Sequence, residues 1–157
     1  MKPGVGGVVC GPRQCDPMLL IQRSRNVNPK YPLDKFEEKF VGGMLEEIDG
    51  PKQLPSSHIR TLNREFFRET DLKVRVGNGL KEIYNEIVGT KWMVLYLVPF
   101  ENLIGQVREE KERPDGDTML MDLHWETLES VAKELYPTHQ TLFWHVLEKI
   151  LDHFEFS

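Results

Sequence analysis

The sequence predicts a mostly helical α+β domain, and three observations lead to this prediction. Apolar residues recur at helical spacing in several segments, most regularly from Leu142 to Phe154. The run from Trp92 to Val98 is apolar on every side and rich in aromatic and β-branched residues, which favours a buried strand. A Pro-Asp-Gly turn precedes residues 118–123, which can pair back as a second strand. We therefore expect helices around a small sheet at residues 91–98 and 118–123, and the alternative is an all-α bundle.

The length and composition are those of one folded domain. The chain has 157 residues, of which 39% are hydrophobic and 29% are charged, and it carries a formal net charge of −5. Two cysteines are too few for a disulfide-rich scaffold, and the longest apolar run is far shorter than the roughly 20 residues that cross a bilayer. We expect a protein of the cytoplasm or nucleus that makes no contact with a membrane.

The charges divide the chain unevenly. Residues 1–32 carry five basic side chains and one acidic side chain, together with five of the ten prolines. Residues 101–157 carry five basic and thirteen acidic side chains. This pattern predicts a basic, Pro/Gly-rich leader over residues 1–32, extended or disordered, followed by a single globular domain over residues 33–157. The leader could bind nucleic acid, but the acidic remainder of the chain would repel phosphate.

Five helices follow from the spacing of the apolar residues. They are predicted over residues 33–48, 57–67, 80–87, 126–135 and 138–154. The predicted core consists of Phe36, Phe40, Leu62, Phe66, Ile83, Leu95, Leu97, Leu142, Val146, Ile150 and Phe154.

Candidates for catalysis are few. Asp122, His124 and Glu126 occupy alternate positions, and on a strand alternate side chains share one face. There His124 could act as a general base, with Asp122 or Glu126 as its orienting partner. The sequence contains no phosphate-binding loop, no nucleophile elbow and no complete set of metal ligands. We expect neither a cofactor nor a metal ion.

The absence of a catalytic motif makes a non-catalytic protein–protein interaction module the leading functional interpretation. Such a module would be an adaptor or a small subunit of a larger assembly, and its partner would be another protein. The predicted contact surface is the densest basic cluster of the domain, formed by Arg64, Arg68, Lys73 and Arg75. Two alternatives remain open: an enzyme whose His/carboxylate site assembles around Asp122, His124 and Glu126, and nucleic-acid binding through the leader.

Overall fold

Ten strands and three helices are found in the computed structural model, which describes residues 3–33, 35–44, 55–107 and 112–155. The strands are β1 (Pro3–Val9), β2 (Met18–Asn26), β3 (Phe36–Lys39), β4 (Val41–Met44), β5 (Lys73–Val74), β6 (Lys81–Val88), β7 (Lys91–Val98), β8 (Leu103–Ile104), β9 (Arg113–Asp115) and β10 (Thr118–Thr127). The helices are α1 (Pro55–Thr70), α2 (Leu128–Glu134) and α3 (Pro137–Glu155).

Two four-stranded sheets form the centre of the fold. The first has the order β4-β1-β7-β6, in which β1 pairs in parallel with β7 and antiparallel with β4. The second has the order β3-β2-β10-β9 and is antiparallel throughout. Strands β5 and β8 form a small third sheet.

From Val94 to Val98, strand β7 is buried on both faces, which explains why its sequence is apolar at every position after Lys91 and Trp92–Met93. Leu95 and Leu97 belong to a core cluster that includes Val146 and Ile150 of α3. Val94, Tyr96 and Val98 belong to the opposite cluster, which includes Leu62 and Phe66 of α1. Alternate side chains of a strand point to opposite faces, so β7 supplies both cores.

Close packing of α1 on the first sheet depends on Gly7 of β1. A Cβ atom at this position would lie 2.7 Å from Cε2 of Phe66, which is fully buried. The absence of a side chain on Gly7 therefore lets the Phe66 ring lie directly against the backbone of β1.

The prediction of a mostly helical domain, and its all-α alternative, are wrong. Residues 80–87 contribute to β6, where a register irregularity between Glu82 and Tyr84 brings Ile83 and Tyr84 to the same core. Such a bulge places neighbouring apolar residues on one side and so imitates helical spacing. The predicted helix over 33–48 is replaced by β3 and β4, and its residues 45–48 lie outside the described part of the chain.

The segment predicted to be a leader contains two buried strands, β1 and β2. Both are extended, but they lie inside the two sheets and do not form a free arm. Strand β2 also pairs with β3, across the predicted boundary between residues 32 and 33. The glycines and prolines of this segment misled the prediction, because a strand that packs closely against a helix can require glycine.

Other elements agree with the prediction. Strand β7, the β9–β10 turn, α1, α2 and α3 lie close to the predicted positions, although β7 and β10 belong to different sheets. Of the predicted core residues, Phe36 is 54% exposed and Phe154 is partly buried, whereas the others are buried. No helix within the described ranges is long and apolar enough to cross a membrane.

Candidate active site

Helix α1 carries two carboxylates on one face. Glu65 and Glu69 are four residues apart, so they lie on successive turns of the helix. Both are buried, and Glu69 is only 1% exposed. Leu62 and Phe66 of the same helix are core residues, so the carboxylates lie beside the face that packs on the first sheet.

Arg68 lies among three carboxylates. Its Nε donates a hydrogen bond to Glu65 at 2.9 Å, and its Nη1 donates to Asp115 of β9 at 3.0 Å. Its Nη2 also contacts Glu65 and lies 3.7 Å from Glu69. These bonds raise the pKa of Arg68, so the guanidinium is a permanent positive charge in an acidic group.

Glu69 faces the second sheet. The side-chain amide of Gln22, in β2, approaches the backbone carbonyl of Glu69 at 3.5 Å. Oε2 of Glu69 and Oε1 of Gln22 are buried and have no hydrogen-bond partner among the described residues. Burial raises the pKa of the Glu69 carboxyl to about 7, and the positive charge of Lys39 opposes this shift.

A hard divalent cation such as Mg²⁺ fits this group. The donors are carboxylate oxygens, which such ions prefer, and within the part of the chain that the structure describes Oε2 of Glu69 has no hydrogen-bond partner. The positive charge of Arg68 already occupies a place between Glu65 and Asp115, as a bound cation would. Glu65 and Glu69 are the residues that would hold the ion.

A cavity of about 370 Å³ opens next to the first sheet. Its aromatic lining includes Phe40, Trp92, Tyr136 and His139, and Lys39 and Lys91 supply positive charge. Burial, together with the nearby charges of Lys39 and Lys91, lowers the pKa of His139 to about 3, so its ring is neutral at pH 7.

Lys39 connects the carboxylates of α1 with this cavity. It pairs with Gln22 across β3 and β2, and paired residues of neighbouring strands point to the same face. Its charge acts on Glu69 and also on His139. One ammonium group therefore lies within electrostatic range of the acidic group and lines the cavity.

The predicted catalytic residues lie on the other face of the second sheet. His124 pairs with Ile21, which neighbours Gln22 in β2 and points away from α1. Nε2 of His124 lies 3.3 Å from Oε1 of Glu126, so the structure brings these two together as predicted. Asp122 lies at a register irregularity of β10, and its carboxylate is 3.6 Å from Arg23. Their catalytic role remains a prediction.

The four residues of the basic cluster predicted as a contact surface have different surroundings in the structure. Arg68 is bound by carboxylates, and Arg64 lies 3.5 Å from Glu65. Lys73 lies over the ring of Phe67, and Arg75 belongs to the loop after β5. A protein-binding role for these residues stays a prediction.

Sequence reasoning missed Glu65, Glu69, Gln22 and Lys39. A signal was present for the first two, since Leu62, Glu65, Phe66 and Glu69 follow the spacing of one buried helix face. Two carboxylates at such positions require an explanation, because burial of an unpaired charge is costly. No comparable signal marks Gln22 or Lys39, whose positions depend on the pairing of β2 with β3.

Comparison with known proteins shows similarity at the level of structure. No protein-family profile and no curated protein matches the sequence. An ADP compounds hydrolase matches with a TM-score of 0.63 and 14% identity, over 97% of this chain and 74% of that chain. A structure from work on MutT of Aliivibrio salmonicida and Vibrio cholerae matches with a TM-score of 0.59 and 14% identity, over 97% and 98% of the two chains. A MutT Nudix hydrolase from Burkholderia pseudomallei matches with a TM-score of 0.54 and 16% identity, over 92% and 98%.

At these identities the likeness shows the fold, which is the α/β fold of Nudix hydrolases. It contradicts the prediction of a non-catalytic adaptor or regulatory subunit, because the matching structures include hydrolases. The predicted alternative, an enzyme with a spatially assembled site, agrees better with these findings.

Proposed function

We propose that this chain is a hydrolase that cleaves a phosphoanhydride bond in a nucleotide compound, with Glu65 and Glu69 at its active site. The observation that carries the proposal is the position of Lys39, whose charge acts both on buried Glu69 and on His139 in the cavity. Hydrolases among the structures with the same fold, including one that acts on ADP compounds, support it.

The cavity has the chemistry that a nucleotide requires. A base can stack on aromatic rings such as those of Trp92 and Tyr136, and its phosphates can bind the ammonium groups of Lys39 and Lys91. A phosphate bound at Lys39 would extend toward the carboxylates of α1. The phosphoanhydride bond to be cleaved would then lie beside Glu65 and Glu69.

The carboxylates of α1 would act on the water that attacks phosphorus. A divalent cation held by Glu65 and Glu69 would lower the pKa of bound water, which favours hydroxide at neutral pH. The water oxygen forms a bond to phosphorus while the bridging oxygen leaves, and the proton passes to a carboxylate near Arg68. Lys39 stabilises the negative charge that develops on the phosphate oxygens. The products are two phosphate esters, or an ester and inorganic phosphate.

The test is a hydrolysis assay with the full chain and MgCl₂. Nucleoside triphosphates and ADP-containing compounds are incubated with the protein, and the products are separated by ion-exchange chromatography. We expect hydrolysis by the native chain and at least a roughly 100-fold loss in Glu69→Gln, as for removal of one preorganised catalytic group.

Glu148→Gln is the matched control. Glu148 is exposed on α3, so this variant should hydrolyse at the native rate. Equal rates for Glu69→Gln and the native chain would exclude the proposed active site. We also propose a cytoplasmic or nuclear location, which is consistent with the free thiols of Cys10 and Cys15.

A further inference from the structure

A second group of possible metal ligands lies on the face of the second sheet that points away from α1. His124 and Glu126 extend from β10, and Glu134 lies at the end of α2. One ligand atom from each of these residues lies within 4.8 Å of the others. Within the described ranges, this is the one such group of three that the chain provides.

The backbone of β10 orients the imidazole of His124. Nδ1 of His124 lies 2.5 Å from the carbonyl oxygen of Asp122. Asp122 has a φ of 45°, at the irregularity where β10 shifts its register against β2. A proton on Nδ1 donated to this carbonyl leaves the lone pair of Nε2 free and directed toward Glu126.

Glu38 of β3 adds a buried and unpartnered oxygen. The residue is 8% exposed, and its Oε2 has no hydrogen-bond partner in the described ranges. This oxygen lies 3.8 Å from Nε2 of His124. The other oxygen, Oε1, accepts a hydrogen bond from Nε of Arg23 at 2.7 Å, which fixes the carboxylate in this direction. A buried carboxylate oxygen without a partner destabilises the fold unless a cation or a proton binds to it.

We propose that His124, Glu126 and Glu134 hold a zinc ion at a site separate from the carboxylates of α1, and that Oε2 of Glu38, which lies beside His124, supplies the fourth ligand. Ligands at about 2.1 Å from a tetrahedral zinc ion lie roughly 3.4 Å from one another, close to the separations of His124 from Glu126 and Glu38. One imidazole with several carboxylates suits zinc better than Mg²⁺, which prefers oxygen ligands and retains its water.

The ion would connect the second sheet with the turn between α2 and α3. Glu134 is the last residue of α2, and two residues later the N–H of Tyr136 donates to the backbone carbonyl of Glu38 at 3.0 Å. Tyr136 lines the cavity, as do Thr138 and His139 at the start of α3. Zinc would therefore hold this wall of the cavity in place, whether or not the proposed hydrolysis occurs.

The test measures zinc directly and does not use activity. The full chain is prepared without a polyhistidine tag, dialysed against ZnCl₂ and then against metal-free buffer, and its zinc content is measured by mass spectrometry. We expect about one zinc ion per chain and a higher Tm than after treatment with a chelator. Replacement by Co²⁺ should give the intense visible absorption of a tetrahedral site.

Two pairs of variants decide the assignment. His124→Gln and Glu134→Gln should each reduce zinc affinity at least about 100-fold and abolish the Co²⁺ absorption. The controls are His145→Gln on α3 and Glu129→Gln on α2. They make the same two substitutions at a histidine and a glutamate that are not proposed zinc ligands. The controls should bind zinc as the native chain does.

The proposal would be overturned if the native chain retained no zinc, or if His124→Gln retained as much as His145→Gln. Glu134 is exposed and is not a member of the core cluster that contains its neighbour Leu135, so Glu134→Gln should remain folded even if His124→Gln does not. Normal zinc binding by Glu134→Gln would show that Glu134 is not a ligand and would overturn the site as proposed.

Discussion

The backbone N–H of Phe40 donates a hydrogen bond to Nδ1 of His139 at 3.0 Å, and the two rings stack with their centroids 5.4 Å apart. Nδ1 can accept this bond only while it carries no proton. Because His139 is also buried, its pKa falls to about 3, well below the ordinary histidine value of 6.5. The contact between Phe40, which lies between β3 and β4, and α3 is thus formed by a neutral imidazole.

Stability should therefore depend on the protonation of His139. Between pH 6.5 and about 3 the unfolded chain binds a proton at this residue that the folded chain does not, so this contribution is present above pH 6.5 and is lost as the pH falls. In this window the free energy of unfolding should decrease by up to about 1.4 kcal/mol for each pH unit of acidification.

Urea unfolding at several pH values, with the native chain and His139→Gln, measures this contribution. Glu69 has a raised pKa, so its contribution to the free energy of unfolding changes with pH in the opposite direction. Because both proteins contain Glu69, the difference between their free energies of unfolding at each pH reports on His139. If the free energies of unfolding of the native chain and His139→Gln changed equally from pH 7.5 to pH 5, His139 would not be held neutral in the fold.

Gly7→Ala should destabilise the fold. The added methyl group would meet the ring of Phe66 at 2.7 Å, and overpacking of a buried contact costs about 1–3 kcal/mol. The matched control is Gly77→Ala, because no atom lies within 4 Å of a Cβ at Gly77. Thermal unfolding of the two variants should show a lower Tm for the first and almost no change for the second. Equal Tm values would contradict the close packing of α1 on β1.

Arg68→Gln should change the dependence of hydrolysis on Mg²⁺. Arg68 competes with a divalent cation for the oxygens of Glu65 and Asp115, so its removal should reduce the Mg²⁺ concentration needed for half-maximal rate, about tenfold for one charge-assisted bond. Rates measured across a range of MgCl₂ concentrations provide the comparison. If the Mg²⁺ dependence stays the same while kcat/KM falls, Arg68 binds the substrate and does not compete with the ion.

Lys91→Gln should weaken substrate binding. Lys91 lines the cavity away from the carboxylates of α1, so the change should raise KM about tenfold, through loss of a charge-assisted bond to phosphate, with little change in kcat. Lys149→Gln, at an exposed position of α3, is the control. An unchanged KM for Lys91→Gln would show that the phosphates bind elsewhere.

The sequence predicted single elements better than their arrangement. The apolar run of β7 and the long helix α3 were identified because each carries a strong pattern over seven or more residues. Strand β6 was mistaken for a helix because a bulge placed Ile83 and Tyr84 together. Strand β1 was mistaken for a leader because its glycines were interpreted as a loop signal, whereas Gly7 serves a close contact with α1.

In the candidate sites, too, neighbours along one strand could be predicted, whereas residues from distant segments could not. The alternation of His124 and Glu126 along a strand was visible in the sequence, and both side chains do lie together. Glu38 and Glu134 join them through the pairing of β3 with β2 and the packing of α2, which no local pattern reveals. Lys39 approaches Glu69 for the same reason. Contacts between distant segments limit what sequence reasoning can predict about a site.

The central position of β1 has a consequence for synthesis of the protein. This strand is made before β7, yet Val5 pairs in parallel with Val94 of β7, so its partner leaves the ribosome many residues later. Until then the apolar strand has only β4 available as a neighbour in its sheet. Such long-range pairing slows folding and exposes an unpaired edge. We therefore expect the nascent chain to depend on chaperones, and slower translation before residue 98 should increase its aggregation.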